Sequence, residues 1–290
     1  MPDAGVPPWV ERRVLTYAHQ CGAWEAPSST LFALRRALAL GVTGIELDVH
    51  ATADGHLVVC HDATVDRTTN GHGPIHALTL AQVRALDNAY WFVPGGDEQR
   101  GHSPEAYPYR GRAPDDTDFS VATLAEVLEL LDAHPRVALN LDIKQTAPAV
   151  TPYEERLARQ LAEHDHLDRV IVASFLDQAT ESFARFAPEV ATSAGTLAVA
   201  TFWRAVHQGE PPPAMRHVAL QVPAVRGDLV VVDDVLVQEA HRHQLALHVW
   251  TINNEADMAR LLDLGVDGII SDVPSPLVSL VAARHLTYHP

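Results

Sequence analysis

Only two cysteines, Cys21 and Cys60, occur in the 290 residues. Two are too few for a disulfide framework; reduced thiols are expected, with one bridge between them left open. Positive charge is scarce: 21 Lys and Arg stand against 37 Asp and Glu, a formal charge of −16. No basic run reverses it locally, so no nucleic-acid partner is expected. Long hydrophobic runs are missing too. No stretch has the roughly 18 apolar residues needed to span a bilayer, and "MPDAGVPPWVERRV" lacks a signal-peptide core. These absences predict a soluble cytoplasmic protein without stable membrane insertion. There is no internal repeat, low-complexity tract or nucleotide-binding glycine loop, and the oligomeric state is not legible.

What the chain does have is 47% hydrophobic residues, arranged as β-branched runs alternating with amphipathic segments. The runs are "VLTYAH", "GIELDV", "LVVCH", "VALNLDI", "RVIVASF", "ATSAG", "VALQVP", "LALHVWTI" and "DGIISD". Helical patterns such as "STLFALRRALALG", "TLAEVLELLDAH" and "NEADMARLLDLG" lie between them, opened by Ser, Thr or Asn caps. That order over ~250 residues predicts a closed (β/α)8 TIM barrel, with one of the nine candidate strands outside the barrel wall. A single domain over residues 1–290 is expected. Residues 68–120 break the rhythm with Gly, Pro and charge, and read as an irregular insertion after an early strand, its aromatics favouring packing over disorder.

Residues two apart in a strand share a face, so Glu46 and Asp48 point one way and Ile45, Leu47 and Val49 the other. The short "ADGH" turn predicts a hairpin that returns His61 close to Asp48. A second strand separates Leu139, Leu141 and Ile143 from Asn140, Asp142 and Lys144. His19 ends the first strand. In a barrel these positions meet at the C-terminal face, where burying so many charges calls for a ligand. Oxygen donors without thiolate suit Mg²⁺, Ca²⁺ or Mn²⁺, two histidines suit proton transfer, and a lysine suits an anion. Together these are parts for cleaving a phosphoryl ester.

The ordered segments "HQC", "SST", "ELD", "DG", "HD", "DIK", "WTIN" and "GVDGIISD" resemble the glycerophosphodiester phosphodiesterase family over most of the chain. The resemblance implies a small-molecule phosphodiester substrate and a role in lipid metabolism. It also implies a divalent metal ion held by Glu46, Asp48 and Asp142, acid/base or nucleophilic roles for His19 and His61, and phosphate binding by Lys144. Trp250 would line the pocket. In related enzymes the neighbouring glycerol hydroxyl attacks phosphorus, giving a cyclic phosphate that water opens.

Three positions depart from the family pattern. Gln20 replaces an arginine at the phosphate or substrate contact, Ser28 and Ser29 replace a Glu-Asn pair, and Asp142 replaces a longer glutamate. Arg110 and Arg112 in "YPYRGR" are candidates for the missing cation, and Trp24 with "AYWF" for an apolar wall. The leading expectation is a metal-dependent phosphodiesterase releasing an alcohol and a phosphomonoester. The alternatives are a phospholipase D-like lyase that forms a cyclic phosphate and a catalytically impaired phosphate-ligand binding protein. Asp233 and Asp234 are read as a helix cap, Asp267 and Asp272 as packing or salt-bridge residues.

Overall fold

In the computed structural model, residues 8–11, 14–96, 100–144, 151–164, 167–286 and 288 are described. The strands are β1 (Leu15–His19), β2 (Gly44–Ala51), β3 (Leu57–Val59), β4 (Ala138–Ile143), β5 (Val170–Ala173), β6 (Ala191–Thr192), β7 (Ala219–Pro223), β8 (Val225–Arg226), β9 (Leu229–Val230), β10 (Ala246–Trp250) and β11 (Gly268–Ser271). Eight are parallel neighbours in the order β6-β5-β4-β2-β1-β11-β10-β7. A parallel bridge from Ser193 to Ala219 joins the two ends, so the wall is a nearly closed eight-stranded TIM barrel. The strand outside the wall is β3, which folds back antiparallel on β2 with Val49 opposite Val59.

Period-two alternation sorts each strand. On the outside, Ile45, Leu47, Val49, Leu139, Leu141 and Val172 pack with helix residues such as Leu34, Val127, Leu157 and Phe183. A second outer cluster joins Leu220, Val222, Leu247, Val249 and Ile269 to Phe202, Leu236, Met258 and Leu261. The inward positions form layers. At the bottom, Leu15, Ala138, Ala219 and Ala246, at the starts of their strands, pack with Trp9 and Val10 of the short helix Pro8–Glu11. The middle layer holds Tyr17, Asn140, Gln221 and His248; the Gln221 amide donates across the barrel to Asn140 Oδ1 at 2.8 Å. Gly44 is required beside Tyr17, because a Cβ there would lie 2.4 Å from the ring. With the bottom filled, access is left at the C-terminal end, where side chains of β1, β2 and β4 are charged.

Three helices whose caps were read from the sequence start at them. The Thr30 hydroxyl accepts from Ala33 N–H, Thr123 forms a reciprocal cap with Glu126, and Asn254 accepts from two amides. Both cysteines are free and buried. Among the described residues no helix is long and apolar enough to cross a membrane.

The described residues between β3 and the helix Leu124–Asp132 are packed, as the aromatics there implied. Phe32, Tyr109 and Phe119 pack ring against ring with centroids 4.8 to 5.3 Å apart, and the Trp91 indole donates to Thr69 O at 2.8 Å. The hairpin β8–β9 over the C-terminal face is an addition to the expected strands. Six residues with Gly-Asp at the turn are too few for an alternation to show.

Candidate active site

Strand register brings the charges together. β1 pairs with β2 so that His19 lies opposite Glu46, and β2 pairs with β4 so that Asp48 lies opposite Asp142 and Glu46 opposite Asn140. Lys144, one residue beyond β4, puts Nζ 2.8 Å from Asp48 Oδ1 and 3.0 Å from Asp142 Oδ2. The β2–β3 hairpin returns the chain so that Cys60 N–H donates to Asp48 O at 3.0 Å, and His61 follows. The His19 and His61 rings stand edge to face, 6.2 Å apart, and His19 Nε2 is 3.7 Å from Glu46 Oε2. His19, Glu46, Asp48, His61, Asp142 and Lys144 thus converge.

Each histidine is oriented through Nδ1 by an aspartate. His19 Nδ1 is 2.6 Å from Asp272 Oδ1. Asp272 is held in turn by Asn253, whose amide donates to Oδ2 at 2.7 Å and accepts the Asp272 N–H at 2.9 Å. His61 Nδ1 is 2.7 Å from Asp62 Oδ1, and Arg67 donates to both oxygens of Asp62. Of the two readings expected for Asp272, packing or a salt bridge, the contact to His19 is the second. Its role was hidden because the partner lies 253 positions away, although Asn253 and Asp272 both belong to segments that carry the family resemblance. Asp62 sits in the "HD" pair itself.

The electrostatics follow from burial. Desolvation pushes the Glu46 carboxyl up, with Asp48 adding repulsion, to about 8. Burial also raises Asp142, although the Lys144 ammonium opposes it. Burial by itself would lower His19, but the carboxylates of Glu46 and Asp272 outweigh it and raise it to about 9. Burial acts against the Lys144 ammonium as well, and Asp48 and Asp142 override it, raising the group well above its ordinary value. Asp62 moves the other way: burial disfavours its charge, but hydrogen bonds from His61 and Arg67 hold it below the usual carboxylate range.

Gln20 is only 5% exposed. The chain turns left-handed there (φ 49°), pointing the Gln20 N–H at Glu46 Oε2, 3.2 Å away, while the side-chain nitrogen lies 3.3 Å from His19 Nε2. An amide in that place serves either state of the imidazole, donating through nitrogen or accepting through oxygen. The insertion does not supply a cation in place of the missing arginine. Arg110 lies over the Tyr107 ring at 3.5 Å and donates to Tyr90 O at 2.9 Å; Arg112 pairs with Asp116 over Phe119. The apolar wall expected from Trp24 and the insertion aromatics is also elsewhere, since neither lines the cavity.

That cavity, about 690 Å³, opens at the C-terminal face. Its polar wall includes His19, Glu46, His61, Asn140, Asp142 and Lys144, and Trp250 lines it as expected. The opposite side comes from β7, the β8–β9 hairpin and the helix Thr196–Gln208, and it includes Arg226. Among the described residues no three His, Cys, Asp or Glu side chains gather around one point suited to a metal ion; the Lys144 ammonium lies between Asp48 and Asp142. Asp48 Oδ2 and Asp142 Oδ1 are nevertheless buried without a hydrogen-bond partner among the described residues. Acceptors stranded in this way, beside a carboxyl pushed up by burial, fit a hard cation.

Comparison with known proteins gives consistent results. Residues 19–275 match the family model described as "Glycerophosphoryl diester phosphodiesterase family". A glycerophosphodiester phosphodiesterase of Caldanaerobacter subterraneus subsp. tengcongensis is 32% identical over 269 residues, covering 93% of this chain and 98% of that one. One from Bacillus subtilis is 31% identical over 272 residues, covering 90% of this chain and 84% of the other. Among solved structures, a glycerophosphoryl diester phosphodiesterase domain from Mycobacterium tuberculosis superposes with a TM-score of 0.75 at 20% identity, covering 94% of this chain and 100% of that one. An Oleispira antarctica phosphodiesterase in complex with the product sn-glycerol-3-phosphate gives 0.69 at 24% identity, covering 93% and 97%. Barrel, polar cluster and comparisons agree, and the chain belongs to the glycerophosphoryl diester phosphodiesterase family.

Proposed function

We propose that the cavity hydrolyses glycerophosphodiesters to an alcohol and a phosphomonoester, with His19 and His61 exchanging protons at the phosphorus and Lys144 binding a phosphate oxygen. The observation that carries this reading is the pair of imidazoles 6.2 Å apart, each fixed through Nδ1 by an aspartate and both lining the cavity on the same wall as Lys144. Fixing Nδ1 selects the tautomer, and His19 Nε2, beside the Gln20 amide, is the nitrogen that would meet the substrate. His19, enclosed by carboxylates that favour its charged form, is suited to protonate the departing alcohol oxygen. His61 takes the proton of the attacking glycerol hydroxyl as the P–O bond to the departing alcohol breaks, and water then opens the cyclic phosphate to the phosphomonoester with the roles of the two imidazoles reversed.

Glu46, Asp48 and Asp142 are the residues that would hold a divalent cation. Bound there, it would neutralise charge on the phosphoryl oxygens. Lys144 adds a fixed positive charge on the same side, and Gln20 steadies His19 in place of a charged contact to phosphate. Two buried free thiols suit a reducing, cytoplasmic setting.

The test is a panel of glycerophosphodiesters assayed with EDTA and then with Mg²⁺, Ca²⁺ or Mn²⁺ restored. Turnover is expected to vanish in EDTA and to return with at least one ion; full turnover in EDTA removes the metal from the scheme. Phosphorus NMR of the end product should show a phosphomonoester, whereas an accumulating cyclic phosphate would make the enzyme a lyase.

A further inference from the structure

We infer that the substrate carries a hydrocarbon chain: the polar wall takes the phosphodiester, and the far side of the cavity takes an acyl or alkyl chain on one of its alcohols. This rests on the phosphodiesterase reading and narrows its substrate class.

The cavity has the volume of a site for a drug-sized ligand, and beyond the histidines its lining changes character. Val199, Trp203, Val222, Val225, Leu229 and Val231 form that side. Trp203 offers only its apolar surface to a ligand, because its indole N–H already donates to Val231 O at 3.0 Å. Phe175 marks the junction: its ring centroid is 5.6 Å from Lys144 Nζ and its ring stands edge-on to Trp250. The carboxylates among the lining residues, Glu46 and Asp142, both belong to the polar wall, and the one charged side chain on the apolar side is Arg226. Among the described residues that line this side, a cationic head group would find no carboxylate and would meet a like charge.

The mouth points the same way. Of the nine large hydrophobic residues exposed among those described, six are Phe175, Leu176, Leu197, Val225, Leu229 and Val230. Phe175, Val225 and Leu229 line the cavity, and Leu176, Leu197 and Val230 follow the lining residues Phe175, Thr196 and Leu229 directly in the chain. An apolar patch gathered at a pocket entrance marks a binding surface. A small polar alcohol would leave it wet, whereas a chain would cover it.

The test compares kcat/KM for glycerophosphocholine, its 1-decanoyl derivative and glycerophospho-1-octanol, all below micelle-forming concentrations; the last two place the chain on opposite sides of phosphorus. Each methylene buried strengthens binding about fourfold, so one of the two chained substrates should exceed glycerophosphocholine by at least about tenfold, and which one identifies the alcohol that enters the apolar side. Ala200→Trp, at an exposed helix position lining the cavity, and Leu229→Glu, on the hairpin, should each cut that advantage about tenfold. Glycerophosphocholine turned over as well as both chained substrates overturns the inference and leaves the phosphodiesterase reading standing. So does a chain advantage that survives both variants. No turnover of any of the three with any of the metals overturns both.

Discussion

Asp272 and Asp62 show how much of a histidine's chemistry is set by the group behind it. An imidazole facing a phosphodiester with the wrong nitrogen protonated, or free to turn, transfers protons poorly. Asp272→Asn should therefore lower kcat about 100-fold while KM changes less than about threefold. The pH profile should also move to lower pH, because His19 loses a carboxylate that raises it. Steady-state kinetics across pH checks this; a kcat within threefold of wild type would leave Asp272 as a structural contact. The same pattern explains why Gln20 is tolerable where the family carries an arginine. The amide is turned to the imidazole, and in the proposed reaction the positive charge near phosphate falls to Lys144.

At the scale of elements, the insertion and the hairpin have exchanged the roles that composition suggests. The insertion carries arginines and aromatics, the usual materials of a recognition loop, yet Arg110 lies against the rings of Tyr90, Trp91 and Tyr107. A guanidinium shielded among rings contributes to folding. Arg110→Ala should lower stability by about 2 kcal/mol, read by chemical denaturation, while kcat/KM stays within about threefold. A collapse of kcat/KM without loss of stability would instead put Arg110 at the phosphate. The short hairpin β8–β9, which no periodicity announces, overhangs the cavity and brings Arg226 to it.

Across the whole molecule, the barrel interior runs from apolar at the bottom to charged at the top, with a polar middle layer that must stay neutral. His248 belongs to that layer; it is fully buried, and burial lowers it to about 4. Between about 6.5 and 4 the unfolded chain takes up at His248 a proton that the folded protein refuses, so the contribution of this one residue is intact above pH 6.5 and is lost as pH drops toward 4. The loss amounts to about 3 kcal/mol. Denaturation midpoints at pH 7 and 4.5 should show it, and His248→Gln should flatten the difference. An equal slope in both proteins would assign the acid sensitivity to other groups.

The sequence by itself determined which side chains face inward. Alternation along a strand is a property of one strand, and it separates Glu46 and Asp48 from Ile45, Leu47 and Val49 before any neighbour is known. The same local rule paired Asp142 with Lys144 and, through the Asp-Gly turn, returned His61 to Asp48. Tertiary structure alone decided the partners. Closing the barrel sets β11 beside β1 and thereby Asp272 against His19, and it hangs the hairpin over the cavity. The fate of Arg110, stacked on rings while Arg226 reaches the site, depends on long-range packing, for which a chain read in order carries no signal.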